Sequence, residues 1–281
     1  MLTTRHGVRV LATADVPAFV ELANQDPVVN VFALHRAHTT NLEPRWLGGE
    51  MWGRFDNGHL VAACHVAANL VPVQARPEDA VAFAERALAR RRTASTLVGP
   101  QSAVRPFWEE VAPHWGRPRD TRWDQRHLVL DGPPALAPDQ GVRAGVQGDL
   151  ATLYPACVAM YTEEVGVSPE SGGGGDLYRA RVAQLIGRGW SFVRYDGDEL
   201  VFKAEVACAT PQAAQIQGVW VPPHRRGQGL ASAGMAAVVH QVRARIAPTV
   251  SLYVNDWNLA ARAVYERVGF VETTRFATVM F

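Results

Sequence analysis

Apolar residues in the C-terminal half form a strand-like run that leads into a helical pattern. Residues 214–221 are mostly apolar, and the run ends at Pro222 and Pro223. A basic, glycine-rich stretch follows, and residues 230–246 then have the alanine- and valine-rich character of a long helix. The pattern therefore predicts a strand, a turn and a helix in succession.

Similar runs predict alternating strands and helices over the whole chain, which gives an α/β fold class. Residues 46–55 are expected to be extended, and Asp15 and Asp176 are expected to cap helices. The predicted strands are residues 7–11, 59–66, 95–98, 127–130, 190–195, 199–208, 250–254 and 276–281. The predicted helices are residues 16–24, 77–92, 104–112, 153–165, 176–187 and 259–268.

An opening pattern of strand, cap and helix occurs twice, about half a chain apart. Residues 7–9 read Gly-Val-Arg and are followed by Asp15; residues 141–143 repeat this tripeptide, with Asp149 at the same offset. The order of predicted elements behind the two openings is also the same. The sequence thus predicts an internal duplication of one α/β unit.

A proline-rich segment separates the two copies. Residues 131–138 contain three prolines and are polar at both ends, which is typical of a domain boundary. We predict a first domain at residues 1–132, a linker at 133–139 and a second domain at 140–281.

Composition narrows the class of protein. The chain has 281 residues, of which 48% are hydrophobic and 20% charged, as in a soluble globular protein. A net charge of +1 argues against a general nucleic-acid binder. No apolar run suits a signal peptide or a membrane span, so we expect a cytoplasmic protein with no membrane partner. Lys203 is the only lysine, which we attribute to composition bias.

The cysteines and histidines have no ligand spacing. Cys64, Cys157 and Cys208 are odd in number and far apart, which favours reduced thiols in the cytosol. His35 and His38 have helical spacing, but no carboxylate or cysteine accompanies them at ligand spacing. We predict no metal site.

The glycine-rich turn before residue 230 has the features of an anion site. Gly227 and Gly229 allow the backbone to approach a ligand, and Arg225 and Arg226 add positive charge. The first N–H groups of the following helix lack intrahelical acceptors, and the positive end of the helix dipole lies there. The stretch has neither the G-x-G-x-x-G pattern of dinucleotide-binding turns nor the Gly-Lys-Ser/Thr of a P-loop.

Two ordered motifs resemble the GNAT superfamily of acetyl-CoA-dependent N-acyltransferases. The turn contains the spacing Arg226-x-x-Gly229-x-Ala231, which is similar to the family's pyrophosphate loop. Residues 258–270 match the pattern Asn-x-x-Ala-x-x-x-Tyr-x-x-x-Gly-Phe at every fixed position. The resemblance covers about residues 140–281, where the second motif follows the first at the separation usual in the family.

This resemblance implies a fold, a cofactor and a set of binding residues. The fold would be a mixed sheet that splays between its fourth and fifth strands, as one of two tandem GNAT-like copies. Acetyl-CoA would place its pantetheine arm along the fourth strand and its pyrophosphate on the turn. Asn258 would contact the pantetheine, and Tyr265 would lie near the thioester sulfur. The implied cofactor-binding residues are Val219, Trp220, Val221, Arg226, Gly227, Gln228, Gly229, Leu230, Ala231, Asn258, Ala261 and Tyr265.

The reaction implied for this family is direct attack of an amine on the thioester in a ternary complex. The attack builds an oxyanion, and a bulge at Gly218 would direct the N–H of Val219 toward it. Tyr265 could protonate the departing thiolate as a general acid, although its helical spacing from Ala261 and Val268 also suits a core aromatic. Glu205 is the candidate base, with a solvated strand charge as the alternative.

The candidate acceptor residues lie on two elements. Gln215 and Gln217 alternate on the fourth strand; they cannot act as bases, but they can order a water. Glu163 and Glu164 end the first helix of the second half, where they would suit a cationic amine or simply form an exposed helix end. Residues 171–175 are a serine followed by four glycines, which we interpret as either a lid or a passive linker.

The first half lacks the residues of this site. Residues 70–78, where a pyrophosphate turn would fall, contain no glycine, and Glu78 would repel a phosphate. Trp108 aligns with Tyr265 and cannot protonate a thiolate. We therefore predict that the N-terminal copy is degenerate and binds no cofactor.

Three hypotheses follow. The first is an N-acetyltransferase that acts on a primary amine of a small molecule, peptide or protein, either as a monomer or as a homodimer. The second is a non-catalytic acyl-CoA-binding or regulatory module, favoured by the absence of an obvious base. The third is a nucleotide-binding protein that uses Arg225 and Arg226.

Overall fold

The computed structural model describes residues 7–281. None of the helices in this range is long and apolar enough to cross a membrane. The strands are β1 (Gly7–Val10), β2 (Glu50–Asp56), β3 (His59–Val66), β4 (Asn69–Val73), β5 (Thr96–Pro100), β6 (Asp120–Leu130), β7 (Arg143–Ala144), β8 (Ser191–Asp196), β9 (Glu199–Ala209), β10 (Ala213–Trp220), β11 (Thr249–Asn255) and β12 (Val271–Met280). The helices are α1 (Val16–Ala23), α2 (Val31–Thr40), α3 (Pro44–Leu47), α4 (Pro77–Leu88), α5 (Gln101–Trp115), α6 (Leu150–Val165), α7 (Gly175–Gly187), α8 (Leu230–Arg245) and α9 (Leu259–Val268).

The chain forms two compact units whose bounds differ from the two predicted domains. The first unit comprises residues up to His127 together with Tyr253–Asn258 and Glu272–Phe281. The second unit comprises Leu128–Leu252 and Leu259–Val271. The last strand thus belongs with the first unit, because Phe276–Met280 pairs antiparallel with β5.

Each unit contains a mixed sheet, as predicted. Within the first unit the strand order is β1-β2-β3-β4-β5-β12-β6, and β4 and β5 are parallel. Within the second unit the order is β11-β10-β9-β8-β7, and β10 and β11 are parallel. In each unit one helix, α4 or α8, connects the two parallel strands. The same connection in both units supports the predicted duplication.

The two openings of the repeat share one hydrogen-bond pattern. Arg9 donates to both carboxylate oxygens of Asp15, at 2.8 and 2.6 Å, and Arg143 does the same to Asp149, at 2.7 and 2.8 Å. Each aspartate also accepts the backbone N–H three residues before it. The aspartates therefore close a short turn ahead of α1 and α6, rather than capping the helices with their side chains.

The prediction was wrong at several elements. Trp46 lies in the short helix α3 and is not extended, because Pro44 starts a helical turn that Gly48 ends at a φ of 71°. The helix α2 was missed, although its buried residues Val31, Leu34 and Ala37 have helical spacing. Asp176 lies in the first turn of α7, where Gly174 is the N-cap.

The predicted linker packs on the second unit. The N–H of Ala135 donates to the carbonyl of Val268 at 2.8 Å, and that of Asp139 donates to the carbonyl of Ala233 at 3.1 Å. The Asp139 carboxylate also pairs with Arg194 at 3.2 Å. These contacts fix the segment against α8, α9 and β8.

Two buried histidines make the first unit sensitive to acid. Burial lowers the pKa of His65 and of His127 from 6.5 to about 4, and neither Nε2 atom has a hydrogen-bond partner among the described residues. His65 donates from Nδ1 to the carbonyl of Asn69 at 3.1 Å. Both rings are therefore neutral at pH 7, and protonating them would charge the core.

We expect the free energy of unfolding to fall as the pH drops from 6.5 to 4. The unfolded chain takes up these protons below pH 6.5, whereas the folded chain resists them down to about pH 4, so the loss is about 3 kcal/mol per histidine at pH 4. Urea unfolding at several pH values measures it. Ring carbon NMR signals assigned to His65 and His127 should not titrate above pH 5; titration of both near pH 6.5 would contradict the prediction.

Candidate active site

The strand β10 carries the predicted bulge. Its register with β9 advances from Gln217 to Trp220 while β9 advances only from Glu205 to Lys203. Gly218 has a φ of 62°, in the left-handed region that favours glycine. A bulge of this kind leaves one residue outside the hydrogen-bond ladder of the sheet. Here Val219 directly follows the bulge residue Gly218.

The end of β10 is also where the sheet opens. The parallel register with β11 runs only from Ala213 to Gln215, whereas β10 continues to Trp220. Beyond Gln215, β10 therefore has no register partner on β11 within the described chain. This matches the predicted splay between the fourth and fifth strands of the second unit.

The glycine-rich turn leads directly into α8. Gly227 and Gly229 have φ values of 78° and 80°, and no atom lies within 4 Å of a Cβ placed on either. Gly229 is the N-cap, so the N–H groups that begin at Leu230 face the turn without helical acceptors. The Nε atom of Arg226 donates to the carbonyl of Val221 at 3.0 Å, and this hydrogen bond orients the Arg226 side chain.

One of the predicted acceptor residues instead contacts this turn. The Oε2 atom of Glu163, near the end of α6, accepts from Arg226 at 2.7 Å and from the Trp220 indole at 3.2 Å. The Arg226 hydrogen bond, followed by that of Trp220, holds the pKa of Glu163 below its usual value, although burial opposes this. Glu163 thus reaches the predicted phosphate turn, and its charge is already compensated.

The neighbouring basic residues are also paired. Arg225 forms ion pairs with Asp196 and, at 3.7 Å, with Glu199, both at the β8–β9 turn. His224 Nε2 lies 2.6 Å from the other Glu199 oxygen. The positive charge expected from Arg225 is therefore largely compensated.

Tyr265 is a buried phenol in the second unit. It is 8% exposed, and its ring packs edge-on against Phe270 with the centroids 5.9 Å apart. Burial raises the pKa of Tyr265, and the charge of Glu164 adds to the effect. The phenol is therefore protonated at neutral pH. Its hydroxyl makes no hydrogen bond to another described residue.

A buried polar cluster lies beneath the bulge. Glu205 is 7% exposed; its Oε1 accepts from Gln217 at 2.7 Å and its Oε2 lies 3.5 Å from the Lys203 ammonium. Glu205 is therefore not a solvated strand charge. Gln215 is also buried, and its Oε1 lies 3.8 Å from the Cys208 sulfur.

The remaining predicted residues lie on other segments. Asn258 belongs to the segment of the first unit that directly precedes α9, and its N–H donates to the carbonyl of Asn255 at 3.0 Å. Ala261 is in the first turn of α9. The predicted binding roles of both stay predictions. The polyglycine segment forms a 3-10 turn at Ser171–Gly173, and Tyr154 donates to Glu170 beside it at 2.9 Å.

Sequence reasoning missed two charged residues. Lys203 was attributed to composition bias, although a single lysine within an apolar strand was a usable signal. Asp79 is fully buried at the start of α4, where its carboxylate accepts from Arg54 and from the N–H of Arg76. In the first unit, the start of α4 corresponds to the glycine turn before α8. It is occupied by the Asp79 carboxylate.

Two segments match known families. Residues 176–270 match the profile of the Acetyltransferase (GNAT) family. Residues 49–153 match a Domain of unknown function (DUF4081). A mycothiol acetyltransferase of Streptomyces scabiei is 33% identical over 161 residues, which are 54% of this chain and 50% of that protein. The chain therefore spans only about half the length of that curated relative.

Solved structures with low sequence identity share the fold. A GCN5-related N-acetyltransferase from Sphaerobacter thermophilus superposes with a TM-score of 0.61 at 21% identity, covering 99% of this chain and 96% of its own. A tandem GNAT protein from the clavulanic acid biosynthesis pathway has a TM-score of 0.55 at 16% identity, covering 98% of each chain. Residues 176–270 therefore form a domain of the GNAT acetyltransferase family, and the chain has a tandem GNAT-like architecture.

Proposed function

We propose that the protein is an N-acetyltransferase that moves an acetyl group from acetyl-CoA to a primary amine in a ternary complex. The observation that carries the proposal is the arrangement of β10 in the second unit. Its bulge at Gly218, its open edge and the glycine turn into α8 follow one another within a single segment. The GNAT family match over the same residues supports this assignment.

The residues of the turn fit the anionic part of acetyl-CoA. Two glycines with positive φ, free space above them and the unsatisfied N–H groups at the start of α8 form a donor set suited to a pyrophosphate. Arg226 can add a charged donor once its ion pair with Glu163 is broken. In this proposal Gly227, Gln228, Gly229, Leu230 and Ala231 hold the phosphates, and Val219–Val221 lie along the pantetheine.

Bound acetyl-CoA would supply an activated acetyl thioester. Glu205 is the proposed acceptor of the ammonium proton, because it is a carboxylate beside the bulge. The N–H of Val219 is the proposed donor to the carbonyl oxygen as negative charge develops there. Tyr265 is protonated at neutral pH, so it can give its proton to the departing sulfur.

The acceptor is proposed to be cationic before it reacts. Glu164 and Glu205 contribute negative charge to the second unit near Tyr265 and the bulge respectively, and Gln215 and Gln217 add polar groups. The name of the Streptomyces relative puts mycothiol-related amines first in an acceptor screen. The homodimer and the cytoplasmic location stay predictions.

The first unit is proposed to bind no cofactor. A phosphate at the start of α4 would have to displace or approach the buried Asp79 carboxylate, which is already paired with Arg54 and Arg76. Like-charge contact in a buried position is unfavourable. One cofactor per chain is therefore expected, and isothermal titration with CoA measures this number.

The test is a screen for CoA release from acetyl-CoA with primary amines, using a thiol reagent. Turnover with at least one amine is expected, and acetyl-CoA should raise the Tm whereas ATP and NAD should not. Binding without turnover on any amine would favour the non-catalytic acyl-CoA-binding module. The contacts of Glu205 support the non-catalytic alternative, because both of its carboxylate oxygens already have partners. A Tm that is raised by ATP and not by acetyl-CoA would reject both the acetyltransferase and the acyl-CoA-binding module.

A further inference from the structure

The single lysine of the chain is one of its most deeply buried side chains. Lys203 lies on β9 and is 1% exposed. The 28 lysines and arginines otherwise consist of arginine alone. An isolated ammonium in this position would be strongly destabilised, so Lys203 is expected to have a partner of opposite charge.

The partner is Glu205, on the same strand. Lys203 Nζ lies 3.5 Å from Glu205 Oε2, while Glu205 Oε1 accepts from the Gln217 amide at 2.7 Å. Each carboxylate oxygen therefore has a separate partner. Gln217 is itself exposed, so the cluster extends from the interior to the surface.

The backbone of the bulge at Gly218 packs against this ion pair. A Cβ placed on Gly218 would lie 3.1 Å from Lys203 Nζ, 3.2 Å from Glu205 Cδ and 3.2 Å from Met160 Cε. A side chain at this position would be tightly packed against these atoms and strained by the positive φ. A compact ammonium fits beneath the backbone here, whereas a planar guanidinium would need more room.

Titratable groups on two helices also face the pair. On α6, the pKa of the Cys157 thiol is raised by burial, with Lys203 lowering it and Glu205 raising it. On α7, the Tyr178 hydroxyl donates to the carbonyl of Cys157 at 3.1 Å, and burial raises its pKa with smaller effects from Cys157, Glu205, Tyr161 and Arg181. The cations facing this cluster are Lys203, whose ammonium lies 3.5 Å from Glu205, and Arg181 on α7.

A purely structural role explains the pair poorly. Buried ion pairs are often no more stabilising than apolar residues of the same volume, because desolvation offsets the attraction. The pair instead lies under the residue that distorts β10, at the point where the proposed transfer takes place.

We propose that Lys203 is a positioning residue that holds the Glu205 side chain under the β10 bulge, so that its carboxylate can take the proton of the acceptor ammonium. The proposal rests on the proposed function. In the step, an N–H bond of the ammonium breaks, an O–H bond forms on Glu205, and the nitrogen keeps the electron pair with which it attacks the thioester. Lys203 loses no proton.

The ion pair itself can be tested without any acceptor. Protein labelled with ¹⁵N-lysine has one side-chain ammonium, and we expect one slowly exchanging Nζ cross-peak from it. Glu205→Gln should shift this cross-peak or broaden it beyond detection. Asp198→Asn, which neutralises an exposed carboxylate in the β8–β9 turn, should leave it in place. A cross-peak that Glu205→Gln does not change would overturn the proposal.

The kinetic test uses Lys203→Met, Glu205→Gln and the double variant, with acetyl-CoA and an amine that reacts in the screen. We expect Lys203→Met to lower kcat at pH 7 by about tenfold or more and to move the acidic limb of the kcat profile to higher pH. Acetyl-CoA affinity should stay within about twofold in every variant, as the turn is untouched. The double variant should regain thermal stability without regaining rate.

The outcomes separate the two claims. A Lys203→Met enzyme with the wild-type pH profile, or with a rate restored in the double variant, means that the pair is only structural and overturns the proposal. Absence of turnover with every amine would reject the proposed function instead, and the lysine cross-peak would still decide whether Lys203 is paired with Glu205.

Discussion

Tyr265→Phe is expected to lower kcat by about a hundredfold to ten-thousandfold while acetyl-CoA still binds. The substitution removes one oxygen and keeps the ring against Phe270. Since the Tyr265 hydroxyl has no hydrogen-bond partner among the described residues, the change leaves no buried donor or acceptor unsatisfied. The Tm should therefore be unaffected, and the loss in rate would report the missing proton donor. The measurement is steady-state CoA release, with affinity from isothermal titration.

A matched control removes a phenol hydroxyl elsewhere in the same unit. Tyr195→Phe on β8 should keep kcat within about twofold, since the interactions of Tyr195 are with Arg143 and Asp149 at the opening of the second unit. If Tyr265→Phe retains the wild-type rate, then Tyr265 is a core aromatic, as its helical spacing also allows.

Val279→Asp is expected to lower the free energy of unfolding by more than about 4 kcal/mol. Val279 is 0% exposed and lies in a core cluster of the first unit with Trp52, Phe83 and Phe107. Its strand β12 pairs with β5 at this point, so the new carboxylate could not turn to solvent without breaking the register. Urea unfolding, or the yield of folded protein where the variant is too unstable, measures the loss.

The same strand supplies the control. Val271 begins β12 and is 63% exposed, so Val271→Asp should change the free energy of unfolding by less than about 0.5 kcal/mol. Equal effects of the two substitutions would mean that the end of β12 does not complete the core of the first unit.

The backbone of the bulge and of the glycine turn could be predicted from sequence because its determinants are local. Gly218, Gly227 and Gly229 all have the positive φ values that their positions in the bulge and turn required. The helix α9 has the predicted bounds, Leu259–Val268, since Asn258 precedes an amphipathic run that ends at Gly269. In such cases the residue type and the backbone conformation depend on neighbours a few positions away.

The rest depends on contacts between residues distant in sequence. The Glu163–Arg226 pair joins the end of α6 to the turn, and no local pattern indicates that an exposed helix-end carboxylate reaches an arginine there. The assignment of β12 to the first unit was missed for the same reason, because its apolar residues would suit a core in either unit. Lys203 became interpretable only when Glu205 and Gly218 were seen beside it.

The position of β12 also has a consequence during synthesis. Domains usually fold in the order in which they leave the ribosome. Here β5 emerges long before its partner β12, so its edge stays unpaired until residues 276–280 have been made. An unpaired edge strand is a template for pairing with other chains. The N-terminal unit of this protein is therefore expected to complete its fold after most of the C-terminal unit, and to be the part that nascent-chain chaperones protect.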